Sequence, residues 1–247
     1  MPAPLWHLSG GEATSRPGRR NSHPPAPEYR GRYSGRMADI GTKGQILLHA
    51  ARLFGQRGYH GTSTRDIAES VGIRQPSLFY HFGSKHLILS ELIDADLAQD
   101  AERFDEAMAL DVGHAERFHF FLAVTSRDYL TLPYDARGYY GDAVFSEPEF
   151  APQRQAIEQQ HANIRHLVER GIEAHEFQAI DVDFVQGAVN GLQFEGMRKR
   201  EINRDAPVSK WPLQVADFIL RAILVDPSTL ADVRRTAAEL LGEQSER

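Results

Sequence analysis

Residues 62–85, TSTRDIAESVGIRQPSLFYHFGSK, constrain the fold more than any other stretch of the chain. Ser63 is placed to N-cap a helix, and Asp66 stands three residues on, as in a capping box. Ile67, Ala68 and Val71 then fall on one helical face. Gly72 ends that helix, because glycine enters the left-handed region without steric cost. Pro76 suits the first turn of the next helix, where a missing N–H loses no bond. Leu78 and Phe82 form its buried side, while Ala68 and Gly72 are small where two helices would cross. Ser84 opens a third, longer helix. Two short helices joined by a tight turn are the pattern of a helix-turn-helix, whose second helix lies in the DNA major groove.

The residues left outside that core are polar or cationic: Arg65, Arg74, Gln75, Ser77, Tyr80, His81 and Lys85. Phosphate contacts position such a unit and base-edge contacts give it sequence preference. Arginine or glutamine at the start of the second helix can bond base edges, and Ser77 can serve base or phosphate. From Gly61 to Leu87 the run resembles the DNA-binding signature of the TetR family of transcriptional regulators. The match takes in the G-T-S start, the D-I-A core, the V-G-I turn, the L-aromatic-aromatic-H-F segment and the S-K pair. With the preceding helix it covers residues 40–90. On this resemblance the DNA-contacting set is Lys43, Ser63, Thr64, Arg65, Arg74, Gln75, Pro76, Ser77, Phe79, Tyr80, His81 and Lys85. Phe79 departs from the tyrosine usual in the family, so Tyr80 takes over its phosphate contact or the contact is lost. His81 reads either as a phosphate ligand or as a simple helix end.

Charge is segregated along the chain. Residues 1–36 carry a net +4, residues 37–90 a net +3 and residues 91–247 a net −13, within an overall −6. A basic head on an acidic body suits a polyanion-binding module joined to a part that does not touch DNA. No apolar run approaches the ~18–20 residues needed to span a bilayer, and the first residues lack a secretory pattern. With no cysteine, disulfides, thiol catalysis and thiolate metal sites are excluded. A cytoplasmic protein without membrane contact is expected.

Residues 1–36 hold six prolines, five glycines and six arginines without periodicity, and read as a disordered basic tail. Met37 follows it directly, so the tail is either a mis-assigned start or an arm that adds phosphate contacts. Residues 37–90 form the expected DNA-binding domain, with a first helix over 40–57 closed by Gly58. Residues 91–247 form the expected effector-binding and dimerisation domain. Apolar spacing predicts helices to about 108, over 114–130, 152–174 and 181–200, from 212, and from Asp226-Pro227 to about 241. No stretch alternates like a strand. The fold class is all-α: a three-helix head followed by a helical bundle.

The body is rich in aromatics, and the resemblance implies a mainly apolar effector pocket there. The candidate lining is Phe118, His119, Phe121, Tyr129, Asn163, His166, Phe184, Asn190, Gln193 and Phe194, against the plainer reading of an aromatic core. Gly187, Ala188 and Gly191, with Leu213, Ala216, Leu220 and Ile223, are candidates for a two-fold dimer interface or for packing within one chain. His114 and His119, like His161 and His166, are spaced off one helical face, so no metal site is expected. No phosphate loop or nucleophile elbow is present, so no cofactor and no enzyme activity are expected. The expected partners are a palindromic double-stranded operator, a second copy of the chain and a small-molecule effector. The rivals are an all-α ligand-binding protein or enzyme that keeps the helix-turn-helix as scaffold, and a nonspecific DNA binder.

Overall fold

The computed structural model describes residues 41–205, 208 and 210–245. The 1–36 tail and Met37 lie outside the described residues. Secondary structure among these residues is helical apart from one isolated antiparallel bridge, Phe177 to Leu224. None of these helices is long and apolar enough to cross a membrane.

The head comprises α1 (Thr42–Arg57), α2 (Thr64–Val71) and α3 (Gln75–His81). Gly58, at φ 74°, ends α1 and donates its N–H to the Phe54 carbonyl. The capping box forms at α2. The Asp66 N–H donates to Ser63 Oγ at 3.1 Å, and the Ser63 N–H donates to Asp66 Oδ2 at 2.8 Å. Gly72 stands at φ 78°, ψ 26°. A Cβ there would meet no atom within 4 Å, so backbone conformation and not a close helix crossing requires this glycine. Ile67, Ala68 and Leu78 are buried together with Ile46, Leu47, Phe54 and Phe82.

Helix α4 (Lys85–Ala109) starts where Ser84 Oγ accepts from the Leu87 N–H. Leu87 is 49% exposed. The buried stripe is formed by Ile88, Leu89, Leu92, Ile93 and Leu97, one position round the helix. The head's core runs past residue 90 along this stripe, so α4 belongs to head and body alike.

The body contains α5 (His114–Thr131), α6 (Asp142–Phe145), α7 (Ala151–Glu173), α8 (Val182–Ile202), α9 (Lys210–Ile223) and α10 (Leu230–Ser245). Asp226 accepts from the Ser228 N–H, so Asp226-Pro227 opens a 3-10 turn over Pro227–Thr229, and the α-helix begins only at Leu230. Phe118, Phe120, Phe121, Leu122 and Val124 bury every side of α5. A helix apolar all round belongs at the centre, and α7, α8, α9 and α10 pack about it through Val168, Val189, Leu220 and Val233. Gly113 has no side chain to cap α5. Glu176 does so from across the fold, accepting the N–H groups of His114 at 3.1 Å and Ala115 at 2.8 Å.

Between α5 and α7 the chain passes under the head. Leu132, Tyr134, Ala136, Tyr139, Val144 and Phe150 share one apolar cluster with Phe54 and Leu78. Backbone meets backbone at this seam. A Cβ on Gly138 would lie 2.5 Å from Gly55 Cα, and one on Gly55 would lie 2.6 Å from the Asp135 carbonyl oxygen. Head and body are therefore packed as one solid at α1.

Candidate nucleic-acid interface and ligand cavity

The turn at Gly72 and the burial of Leu78 orient α3 so that its opposite side faces solvent. Arg74, Gln75, Pro76, Ser77, Phe79 and Tyr80 are all exposed, Tyr80 to 86%, and His81 is half-buried with its ring edge-on to Tyr80. Gln75 Nε2 donates to Thr64 Oγ1 at 2.9 Å, which ties the start of α3 to the start of α2. Arg65 lies on the same exposed surface and pairs with Glu69 at 2.8 Å.

Three further members of the expected DNA-contacting set are held by contacts within the fold. The Ser63 hydroxyl is engaged in the capping box. Lys43 Nζ lies 2.8 Å from Glu91 and 5.2 Å from the Phe82 ring centre, so a phosphate would have to draw it off α4. Lys85 Nζ donates to the carbonyls of Tyr59 at 2.8 Å and Thr62 at 2.9 Å, and lies 4.1 Å from the Tyr59 ring centre. Burial lowers its pKa, against the pull of Glu147. Lys85 thus clasps the turn between α1 and α2 onto α4, and one N–H remains for a phosphate.

The body holds a cavity of about 230 Å³. Tyr129, Asn190, Gln193 and Phe194, four of the expected lining residues, do line it. Ala136, Tyr140, Phe145, Ile157, Gln160, His161 and Met197 complete it and were not singled out as lining from the sequence. The other expected residues lie elsewhere. Phe118, His119 and Phe121 are part of the central core. Asn163 accepts from Gln159 on α7, His166 is exposed beside the Phe104 ring, and Phe184 is 70% exposed. Helical spacing identifies α5 and α8 as apolar but leaves open which side of each faces a void.

A polar network backs the cavity. Tyr129 donates its hydroxyl proton to Asp100, and Gln160 Nε2 donates to Asp100 Oδ2 at 2.5 Å and to the Tyr129 oxygen at 2.9 Å. Tyr139 and Tyr140 donate to Asp96 Oδ2 at 3.2 and 3.5 Å. Both aspartates are buried on α4. The signal was present in the sequence: Asp96 and Asp100 continue, at helical spacing, the stripe of Leu89 and Ile93. Carboxylates on an apolar face need polar partners. On the other wall Asn190 Nδ2 lies 2.9 Å from His161 Nε2, and Gln193 donates to Thr125.

His119 bridges helices instead of facing the cavity. Its Nε2 lies 3.1 Å from Asp217 Oδ1 on α9, and Arg234 of α10 pairs with the same carboxylate at 2.7 Å. Burial holds the His119 pKa below its ordinary 6.5, with Asp217 opposing, and burial does the same to His161. The unfolded chain therefore takes up these protons near 6.5, and the folded chain only at lower pH. Their contribution to stability is full above that value and declines as the pH falls below it. Urea midpoints are expected to be lower at about pH 5.5 than at about pH 7.5, and His119→Gln is expected to flatten that dependence.

The dimer candidates divide. Ala216, Leu220 and Ile223 are buried in the chain's own core, and Ala188 packs against it. Gly187, Gly191 and Leu213 are exposed. A Cβ on either glycine would meet nothing within 4 Å. They share the outer surface of α8 and α9 with Phe184 and with Phe218, which is 64% exposed.

A short exposed helix, held by a tight turn on a buried partner and flanked by cations, defines a helix-turn-helix DNA-binding protein. Residues 46–92 match the family described as bacterial regulatory proteins, tetR family. The transcriptional activator FasR of Mycolicibacterium smegmatis is 26% identical over 172 residues, 67% of this chain and 77% of that protein. The transcriptional repressor KstR2 of Mycobacterium tuberculosis is 29% identical over 160 residues, 63% of this chain and 80% of the relative. The crystal structure of Mycobacterium smegmatis AmtR superimposes with a TM-score of 0.73 at 25% identity, covering 84% of this chain and 97% of that one. Over residues 46–92 the chain thus matches the tetR-family model, and over about two thirds of its length it is similar to regulators of transcription.

Proposed function

We propose that the chain is a homodimeric repressor that binds a palindromic operator through residues 37–90 and is released by a small, largely apolar effector held in residues 91–247. The observation that carries the reading is the exposed polar surface of α3 on a buried Leu78. Arg74 and Gln75 read base edges; Thr64, Arg65, Ser77, Tyr80 and His81 meet phosphates and the groove wall. The repressor assignment takes its support from KstR2, and the cytoplasm is the compartment where such an operator is met. FasR, an activator, supports the opposite sign, which a reporter gene behind the operator distinguishes.

Effector binding is read out through the seam. Tyr140 and Phe145 line the cavity, and the segment that carries them is seated on α1 at Gly55. An effector acts by favouring a head placement that no longer fits two successive major-groove half-sites about 34–36 Å apart. It must bind that placement more tightly than the operator-fitting one, or it shifts nothing.

Arg74→Ala and Gln75→Ala are each expected to cost ~1–3 kcal/mol of discrimination between operator and random duplex. Fluorescence anisotropy on both DNAs checks this. Both variants discriminating as the parent does would remove α3 as the reading helix.

A further inference from the structure

Resting on the cavity as the effector site, three carboxamides on its α7 and α8 walls point to the chemical class of the occupant. We infer that the cavity takes an uncharged primary amide carried on a small apolar body.

Gln193 lines the cavity and is 6% exposed, yet the fold uses only part of its carboxamide. Its Nε2 donates one N–H to Thr125 Oγ1 at 3.2 Å, and Thr125 passes its own proton to the Phe121 carbonyl. Among the described residues Gln193 Oε1 has no hydrogen-bond partner, and it is not one of the polar atoms sealed dry in the core, so it opens to the cavity. A carboxamide oxygen this deep needs a donor. The second N–H of the same amide needs an acceptor.

Asn190 stands three residues earlier on α8, on the same side of the helix. One of its N–H groups goes to His161 Nε2 at 2.9 Å, which leaves the other N–H and Oδ1. Gln160, on α7, has placed both N–H groups, on Asp100 Oδ2 and the Tyr129 oxygen, and keeps Oε1. The three side chains thus offer donors and acceptors together. A primary amide answers both, with one carbonyl for the α8 donors and two N–H groups for the carboxamide oxygens. An ester brings no proton to Gln193 Oε1, and an ammonium brings no acceptor to the N–H groups of Asn190 and Gln193.

The lining also disfavours a charged head. Among the described residues that line the cavity there is no Lys, Arg, Asp or Glu. Burial lowers the His161 pKa, so its ring is neutral at neutral pH. An ion buried here would have no counter-charge in contact with it. At about 230 Å³ the cavity is smaller than the ~300–1,000 Å³ usual for drug-sized ligands, and Phe145, Ile157 and Met197 give it apolar walls.

Isothermal titration of the full chain at neutral pH with octanamide, methyl octanoate, octylammonium chloride and sodium octanoate compares four heads on one body. Octanamide is expected to bind about tenfold more tightly than the ester, and either ion more weakly than the ester. Gln193→Leu keeps the bulk and removes the carboxamide; it is expected to bring the amide-to-ester ratio close to one, and an unchanged ratio overturns the assignment. Asn190→Leu serves if that variant fails to fold, and the ranking on the unsubstituted chain decides if both fail. The ester or either ion binding at least as tightly as the amide overturns the assignment while leaving the effector reading intact. Binding of none of the four by folded protein overturns it together with the cavity as effector site.

Discussion

Phe218→Asp is expected to leave the chain folded and to turn it into monomers. Phe218 projects from the outer side of α9 with 64% of its surface exposed, and Phe184 from α8 with 70%. Phe184, Gly187 and Gly191 follow one another at helical spacing on the exposed side of α8, and large apolar side chains left in solvent on two packed helices suit a partner surface. Two-fold symmetry would bring each residue into the interface twice. An aromatic at the centre of an interface contributes ~2 kcal/mol or more. Two copies then amount to ~4 kcal/mol, roughly a thousandfold in the dimer dissociation constant. The substituted carboxylate would add its own cost of burial. Sedimentation velocity measures the effect directly, with circular dichroism confirming the helix content. Operator affinity should fall with it, because two linked heads bind two half-sites far more tightly than one head binds either. A Phe218→Asp protein that stays dimeric would place the interface elsewhere.

Phe54→Ala is expected to cost ~3–5 kcal/mol, the range for deleting a buried aromatic ring. The side chain is fully buried on α1, 5.5 Å from the Tyr59 ring and 6.4 Å from the Tyr139 ring. One neighbour holds the turn into the helix-turn-helix, and the other belongs to the segment that reaches the cavity. Gly55 and Gly138 touch backbone to backbone one residue away, so the surroundings have little room to collapse into the void. Against a typical total stability of ~5–15 kcal/mol, that is a large share. Urea denaturation followed by far-ultraviolet circular dichroism checks it. A loss below about 1 kcal/mol would show that head and body are not packed as one unit at α1.

How much the sequence revealed depends on how local the cause was. Ser63, Asp66, Gly72, Pro76 and Ser84 act within three or four residues of themselves, and each does what its type and spacing imply. The helix boundaries follow for the same reason. Asp226-Pro227 went a turn astray because an Asp-Pro pair opens a 3-10 turn as readily as an α-helix. The cavity was legible only in part. Whether Phe118 or Tyr129 faces it depends on how α5 is rotated against α4 and α7, and spacing along one helix carries no such information. The split of the dimer candidates has the same origin: Ala216 and Leu213 lie on one amphipathic helix, and only packing shows that one faces inward. Lys85 is a further case. Its position suits a phosphate, but the Tyr59 and Thr62 carbonyls that hold it come from a turn more than twenty residues earlier.

Selecting duplexes bound by the purified protein from a random-sequence pool at moderate salt, and sequencing them, tests whether two copies of α3 read a specific palindrome. Enrichment of one palindrome with half-sites about one helical turn apart is expected, and its loss in the Gln75→Ala protein. A pool that stays random while the protein still binds, with affinity set by salt alone, would contradict it.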